Sequence, residues 1–194
     1  MSNLFLKGKV MAASINKSGL HLIRGPMWAG KSSMLISMGK KYQIIGKKVL
    51  YVNYKKDIRY GSGVVATHDQ TSIPCISTIN LLPIINDYQD AHVIMIDEGQ
   101  FFADIVQFVE IAIERDNKIV IVAFLSGDFN RKNFNSILGL YPLAETITTL
   151  NALCRRCGDG TEAIFTKKLP GQSSEQEDIG GADKYEAVCR KHYS

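Results

Sequence analysis

Nine residues near the N-terminus, Gly25 to Ser33, restrict the fold of this chain more than any other stretch. They read G-P-M-W-A-G-K-S-S and fit the phosphate-binding pattern G-x-x-x-x-G-K-[ST] at Gly25, Gly30, Lys31 and Ser32. The glycines let backbone N–H groups turn towards an anion, the lysine adds charge for the outer phosphates, and the serine hydroxyl suits magnesium. A chance match in a glycine-bearing turn is the alternative.

The segments on both sides of the pattern supply the context that it needs. Leu20–Ile23 is an apolar run suited to a buried strand, and from Ser32 onward apolar residues recur at helical spacing. A helix that starts there directs its N-terminus at the phosphates. The sequence therefore predicts a loop that binds a nucleoside triphosphate, and its remaining positions are Pro26, Met27, Trp28, Ala29 and Ser33.

A second strand predicts the catalytic acids. His92–Ile96 is apolar and is followed at once by Asp97 and Glu98. A buried parallel strand that ends in this way delivers carboxylates to the carboxyl edge of the sheet. In a phosphate-loop protein the first acid serves the magnesium ion, so we assign Asp97 to the metal. Glu98 is the candidate general base, with a helix-capping or surface acid as the alternative.

Predicted strands and helices alternate through the first 150 residues. Further strands are predicted at Lys48–Val52, Ile73–Ile76 and Lys118–Leu125, and helices at Thr78–Tyr88 and Ala103–Arg115. This alternation predicts an α/β fold with a phosphate-loop core and a mainly parallel sheet flanked by helices.

Two loops that follow predicted strands carry further candidate residues. The first, residues 53–70, contains Asp57, Arg59, His68 and Asp69. Taken alone, each of these residues is better explained as plain solvated surface. Arg59 is favoured for function because it follows the phosphate loop in sequence, and a guanidinium can brace a transferring phosphoryl group. The second, residues 126–134, contains Phe129 and Phe134, which line a pocket or pack in the core.

The last forty residues predict a metal site and a flap. Cys154-x2-Cys157 and Cys189-x2-His192, separated by 31 residues, fit one tetrahedral structural Zn²⁺; free cysteines are the alternative. Between the two pairs, Glu162–Leu169 is a predicted strand. The following segment, residues 170–181, has the Gly-rich polar composition of a mobile flap. We call it the flap.

Composition adds limits to the domain organisation and the partners. We predict an N-terminal extension at 1–18, a phosphate-loop α/β core at 19–150 and a zinc-stapled lobe at 151–194. The net charge is +4, and the basic residues form scattered pairs, which disfavours nucleic acid as a partner. No apolar run is long enough for a membrane span, no secretory signal is evident, and the cysteine spacing favours a reducing, cytoplasmic compartment.

Taken together, these motifs resemble the zinc-containing thymidine kinase family of many bacteria, animal cytosol and poxviruses. The resemblance extends from about Leu20 to Tyr193. It is carried by Gly25–Ser32, Thr67–Asp69, Ile96–Phe102, Phe129–Phe134 and Ile179–Tyr185, together with the neighbouring cysteine pair.

The resemblance implies ATP-dependent phosphorylation of thymidine, and also of deoxyuridine, at the 5′-hydroxyl. It also implies a homotetramer and inhibition by dTTP. It makes Glu98 the base and puts ATP and Mg²⁺ against the phosphate-binding loop, Asp57, Arg59, Asp97 and Gln100. It surrounds the nucleoside with Phe101, Leu125, Phe129, Phe134, Thr166 and Tyr185. The flap residues Gln176, Glu177, Asp178, Ile179 and Gly180 are expected to hold the base through main-chain groups.

The chain departs from the family pattern at several positions. Trp28 and Ala29 replace Phe and Ser, Ser126 replaces an acid, Ala103 and Asn133 replace proline, and His192 replaces a fourth cysteine. Two other functions remain as alternatives. One is a zinc-containing phosphate-loop ATPase that acts on nucleic acid, and the other is a nucleotide sensor without chemistry.

Overall fold

The computed structural model describes residues 18–57, 63–66, 72–171 and 175–194. The predicted N-terminal extension lies outside this part of the chain except for its last residue. Arg59 and the motif Thr67–Asp69 also lie outside the described residues, as do residues 172–174 of the flap.

A six-stranded sheet forms the centre of the molecule. In chain order the strands of the first 150 residues are β1 (Gly19–Gly25), β2 (Val49–Tyr54), β3 (Val64–Ala66), β4 (Ser72–Pro74), β5 (Ile76–Thr78), β6 (Val93–Ile96), β7 (Ile119–Leu125) and β8 (Ala144–Thr149). Their order in the sheet is β5-β2-β6-β7-β1-β8, and every neighbouring pair is parallel. The short strands β3 and β4 form a separate antiparallel pair. The predicted α/β fold with a mainly parallel sheet is confirmed.

Helices cover both faces of this sheet. They are α1 (Lys31–Ile44) and α2 (Ile105–Glu110, continued by a π-helical turn at Ile111–Arg115), with the short α3 (Asn135–Leu138) packed against α2; a fourth helix, α4 (Arg190–Tyr193), lies near the C-terminus and does not belong to this layer. Alternate residues of the buried strands point to opposite faces. Val120, Val122 and Phe124 therefore pack on the α2 side, whereas Ile121 and Ala123 pack on the α1 side. Among the described residues, no helix has the length and apolar character that crossing a membrane requires.

Residues 151–194, which we call the C-terminal lobe, contain two small antiparallel sheets. β9 (Ala152–Leu153) pairs with β10 (Glu162–Ala163), and β11 (Phe165–Lys168) pairs with β12 (Tyr185–Val188). The small apolar cluster of this lobe includes Cys154 and Cys189. Cys157 packs against it, as do Trp28 and Ala29 of the loop between β1 and α1. The lobe therefore contacts the core at the phosphate-binding pattern.

Several element boundaries differ from the sequence prediction. Strand Ile73–Ile76 is divided at Cys75 into β4 and β5, and strand Glu162–Leu169 is divided at Ile164 into β10 and β11. The predicted helix Thr78–Tyr88 is only a 3₁₀ turn at Leu82–Asn86, because the Pro83 ring clashes with the carbonyl four residues earlier in a helix interior and therefore fits only the first turn. β8 was not predicted.

Candidate active site and metal centre

The phosphate-binding pattern forms the turn between β1 and α1. Gly30 has φ +80°, a left-handed backbone that a side chain would disfavour, and α1 begins at the next residue. The Lys31 Nζ atom donates to the Pro26 carbonyl at 2.9 Å, so its ammonium lies over the turn. A helix N-terminus and a lysine ammonium at one turn make a site for an anion.

Asp97 follows β6 and lies beside the turn. Its carboxylate is buried, with 5% of the residue exposed. Burial and the charge of Glu98 raise the pKa of Asp97 to about 6, and the Ser32 hydroxyl and Lys31 oppose that rise. The Ser32 hydroxyl and the Asp97 carboxylate thus supply hard oxygen ligands at one place, which is the donor set that Mg²⁺ prefers.

Glu98 is held in an unusual backbone conformation. Its φ of +53° is left-handed, and it is followed by Gly99, where a Cβ atom would lie 2.4 Å from Val122. Gln100 Nε2 donates to Glu98 Oε2 at 2.6 Å, while the Leu125 N–H donates to Gln100 Oε1 at 3.1 Å. Gln100 therefore ties the Glu98 carboxylate to the end of β7.

These groups open onto a cleft of about 1050 Å³, part of which is open to solvent. Two pairs of aromatic rings form its walls: Phe101 and Phe134 are perpendicular at 5.9 Å, and Phe129 and Tyr185 are tilted at 6.4 Å. The predicted site residues that line it are Met27, Trp28, Gly30, Lys31, Ser32, Ser33, Asp57, Asp97, Glu98, Phe101, Leu125, Phe129, Phe134, Thr166, Gln176, Asp178, Ile179, Gly180 and Tyr185.

Among the described residues, five that were predicted for the ATP and nucleoside sites do not line the cleft. Gly25, Pro26 and Ala29 belong to the turn but not to the cleft wall, Gln100 lies behind Glu98, and Glu177 points away to Tyr54 and Lys56. Arg59 lies outside the described residues.

Four residues line the cleft without having been predicted: Asn53, Val64, Gly127 and Asp128. Asp128 is the most connected of them. Its Oδ1 atom accepts from the N–H groups of Asn130 and Lys132, and its Oδ2 atom accepts from Gln176 Nε2 at 2.9 Å. Asp within a polar loop that leaves a buried strand is a turn signal. Asn53 follows an apolar run near the end of β2, and that position is the sequence signal that could have predicted its place in the cleft wall.

The two metal-ligand pairs meet in the C-terminal lobe. His192 Nδ1 lies 3.6, 3.3 and 3.5 Å from the sulfurs of Cys154, Cys157 and Cys189, and the Cys157 and Cys189 sulfurs are 3.8 Å apart. Tetrahedral bonds of about 2.3 Å to sulfur and 2.0–2.1 Å to nitrogen predict separations of about 3.8 and 3.6 Å. The cluster is therefore compatible with zinc.

The environment of Cys154 also favours a metal-binding thiolate. Burial opposes its ionisation, but the N–H groups of Cys189, Cys157 and Arg156, together with His192, lower its pKa to about 6. The Cys189 N–H lies 3.2 Å from the Cys154 sulfur. Thiolate, not thiol, is the form that binds zinc, so these hydrogen bonds prepare the ligand.

The lobe is joined to the cleft by hydrogen bonds on both sides. Thr166 Oγ1 accepts from the Met27 N–H of the phosphate-binding turn at 3.0 Å. Tyr193, next to the ligand His192, donates from its hydroxyl to the Phe129 carbonyl at 2.6 Å. The C-terminal lobe therefore contacts both the phosphate-binding end and the aromatic end of the cleft.

Comparison with known proteins extends over nearly the whole chain. The sequence model of the thymidine kinase family matches residues 18–193. The thymidine kinase of myxoma virus (strain Uriarra) is 51% identical over 174 residues, which are 90% of this chain and 95% of that protein. The thymidine kinases of sheeppox virus (strain KS-1) and vaccinia virus (strain Ankara) are 47% and 45% identical, over 90% and 92% of this chain and 96% and 98% of theirs.

Proposed function

The chain belongs to the thymidine kinase family, and we propose that it transfers the γ-phosphoryl group of ATP to the 5′-hydroxyl of thymidine or deoxyuridine. The product, dTMP, serves pyrimidine salvage and DNA synthesis. One observation carries the proposal. Lys31, Asp97 and Glu98 open onto the same cleft as the aromatic pairs, so phosphate and nucleoside chemistry have one shared space.

The triphosphate binds at the turn between β1 and α1. Backbone N–H groups of residues 25–33 and the Lys31 ammonium hold its outer phosphates. Ser32 and Asp97 would hold Mg²⁺, which would supply positive charge against the phosphates. Burial raises the pKa of Asp97, and a cation at this place would favour its ionised form. Asp57 lines the cleft, and the family resemblance assigns Asp57 and Arg59 to ATP binding.

Glu98 acts as the general base. Its carboxylate takes the proton of the 5′-hydroxyl as that oxygen attacks the γ-phosphorus, while the bond from the γ-phosphorus to the bridging oxygen breaks and ADP leaves. Gln100 holds the carboxylate through the 2.6 Å hydrogen bond and thereby fixes its direction. We therefore propose that Gln100 positions the general base Glu98 and does not contact ATP directly.

The nucleoside lies between the aromatic walls. Phe101, Leu125, Phe129, Phe134, Thr166 and Tyr185 surround it, and main-chain groups of Gln176–Gly180 contact the base. A pocket with flat aromatic walls suits a planar pyrimidine, and polar main-chain groups fix its orientation.

The C-terminal lobe binds a structural Zn²⁺ through Cys154, Cys157, Cys189 and His192. On this assignment, residues 19–150 form the kinase core and residues 151–194 form the lobe that carries the flap. None of the four cysteines forms a disulfide bond in the structure, and three of them belong to this proposed zinc site, which supports a cytoplasmic location.

Changing the fourth zinc ligand tests this centre. We expect His192→Ala to lose most of its zinc, because three thiolates leave the tetrahedron open. If about 2 kcal/mol of stability is lost with the metal, the thermal midpoint falls by about 4–8 °C. His192→Cys is expected to keep one zinc per chain. Metal content by mass spectrometry and thermal melting give the readout.

His92→Ala is the matched control, since His92 is an exposed histidine outside the cluster. It is expected to retain zinc. Full zinc content and an unchanged melting temperature in His192→Ala would remove His192 from the ligand set.

Two further properties are proposed from the family resemblance. The first is feedback inhibition by dTTP. This nucleotide carries a thymine base and a triphosphate, which are the two groups that the proposed cleft accepts. The active form is a homotetramer.

An ATPase that acts on nucleic acid is the competing function, because a glutamate beside the metal acid can also orient water. ADP release with thymidine, with single-stranded DNA and with no addition separates the two. We expect turnover with thymidine alone. Release of ADP that depends on DNA and ignores thymidine would overturn the proposal.

A further inference from the structure

Lys168 is a nearly buried cation at the edge of the nucleoside cleft. It is the last residue of β11, and it pairs in register with Tyr185 of β12. Since residues two apart on a strand share a face, Lys168 lies on the same face as Thr166, which lines the cleft. Its side chain is only 8% exposed. A lysine ammonium is seldom buried to this degree unless it is paired.

The partner of Lys168 is Asp178 on the flap. The Lys168 ammonium lies 2.6 Å from Asp178 Oδ2, and Lys184 Nζ lies 2.6 Å from Oδ1. The Asp178 side chain is 10% exposed. The two lysine ammonium groups lower the pKa of Asp178, so it is ionised at neutral pH. The flap is thus bound to β11 by a buried ion pair.

The same ammonium also lies over two rings of the cleft wall. Its Nζ atom is 4.2 Å from the centre of the Phe129 ring and 5.4 Å from that of Tyr185. A cation above a ring face is attracted to it, most strongly when water is excluded. Lys168 therefore contacts one charged group of the flap and both members of one aromatic pair.

The main chain of the flap is fixed at the same place. The Tyr185 hydroxyl donates to the Asp178 carbonyl at 2.5 Å, and Lys184 Nζ reaches the Ile179 carbonyl at 3.2 Å. Asp178 is consequently held through its carbonyl and both carboxylate oxygens. A segment that is ordered before the ligand arrives loses less conformational entropy when it binds.

We propose that Lys168 and Asp178 are positioning residues for the nucleoside, in that their ion pair orders the flap main chain and the Phe129 ring before thymidine binds. This role rests on the proposed function. The pair touches neither the phosphate-binding turn nor the acids Asp97 and Glu98, so its effect is confined to nucleoside affinity.

Three variants test the pair: Lys168→Met, Asp178→Asn and the double variant. Asp178→Asn leaves two lysines without their carboxylate, and we expect the KM for thymidine to rise about 30-fold or more. Lys168→Met leaves Lys184 paired with Asp178, so we expect a smaller rise in the KM for thymidine, of about tenfold. The KM for ATP is expected to stay within about twofold, since the pair is remote from the phosphates. In the double variant, the KM for thymidine should rise by a factor smaller than the product of the two single-variant factors.

Direct binding gives a second readout. Trp28 is the only tryptophan and lines the cleft, so its fluorescence reports thymidine binding without turnover. Lys168→Arg keeps the charge for Asp178 and for the Phe129 ring, and it is expected to keep affinity within about threefold of the unmodified protein. The exposed pair Lys48–Asp90, at 3.4 Å, supplies the matched control: Asp90→Asn should change neither KM.

Thymidine phosphorylation by the unmodified protein is measured first, and its absence overturns the proposed function together with this role. Where that activity is present, a thymidine KM within twofold of normal in both single variants would show that the pair only stabilises the fold. An equal rise in both KM values would contradict the role in the same way. If Asp178→Asn is insoluble, the thymidine KM of Lys168→Met is compared with that of Lys168→Arg. Equal KM values in these two variants would contradict the proposed role of the ion pair.

Discussion

Replacing Glu98 by Gln is expected to reduce kcat by about 10²–10⁴, the usual contribution of a positioned general base. The neutral 5′-hydroxyl is a weak nucleophile, and its proton must leave as the bond to phosphorus forms. Gln has the same shape as Glu and still accepts the hydrogen bond from Gln100, so the geometry at the end of β6 is retained. Only the ability to take the proton is lost.

The loss is expected in kcat, with ATP affinity almost unchanged, because Glu98 does not hold the phosphates. Single-turnover rates and Trp28 fluorescence on ATP addition measure the two quantities separately. Glu110→Gln is the matched control, since Glu110 is exposed on α2. A turnover within threefold of the unmodified protein would remove Glu98 from the mechanism.

Discrimination against cytosine is the second large effect, with kcat/KM for deoxycytidine about 10⁴ below that for thymidine. Thymine presents an N3–H donor between two carbonyl acceptors, whereas cytosine presents an acceptor at N3 and an amino donor at position 4. A main-chain N–H always donates and a C=O always accepts. The proposed main-chain contacts of Gln176–Gly180 cannot adapt, so cytosine leaves buried polar groups opposed.

Deoxyuridine supplies the internal control for that experiment. It keeps the polar edge of thymine and lacks only the methyl group, a difference worth about 1–3 kcal/mol at most. The expected order is thymidine, deoxyuridine and then deoxycytidine. If deoxycytidine comes within tenfold of thymidine, main-chain contacts do not select the base.

The sequence predicted those parts of the molecule whose signals are local. Gly25–Ser33 predicted the turn and the start of α1, and the apolar run before Asp97 predicted a central strand, because a parallel strand buried on both faces is apolar throughout. β8 was missed. Its sequence, A-E-T-I-T-T, alternates between half-buried and exposed residues at the sheet edge, and such a short pattern is not distinctive.

The contacts that organise the cleft join residues distant in sequence. Gln176 meets Asp128 across 48 positions, and Thr166 meets Met27 across 139. No local pattern predicts which side chain of the flap reaches which loop, so Asp128 and Lys168 were not predicted. The Cys/His cluster is the exception, because metal ligands follow a fixed spacing whatever the fold between them.

The central claim is that the γ-phosphoryl group moves to the 5′-oxygen of the nucleoside. Incubation with γ-labelled ATP and thymidine, 3′-deoxythymidine or 5′-deoxythymidine tests it most directly, because only the last lacks the 5′-hydroxyl. We predict labelled nucleotide from thymidine and from 3′-deoxythymidine, and none from 5′-deoxythymidine. Labelled product from 5′-deoxythymidine, or label released only as inorganic phosphate, would contradict the account.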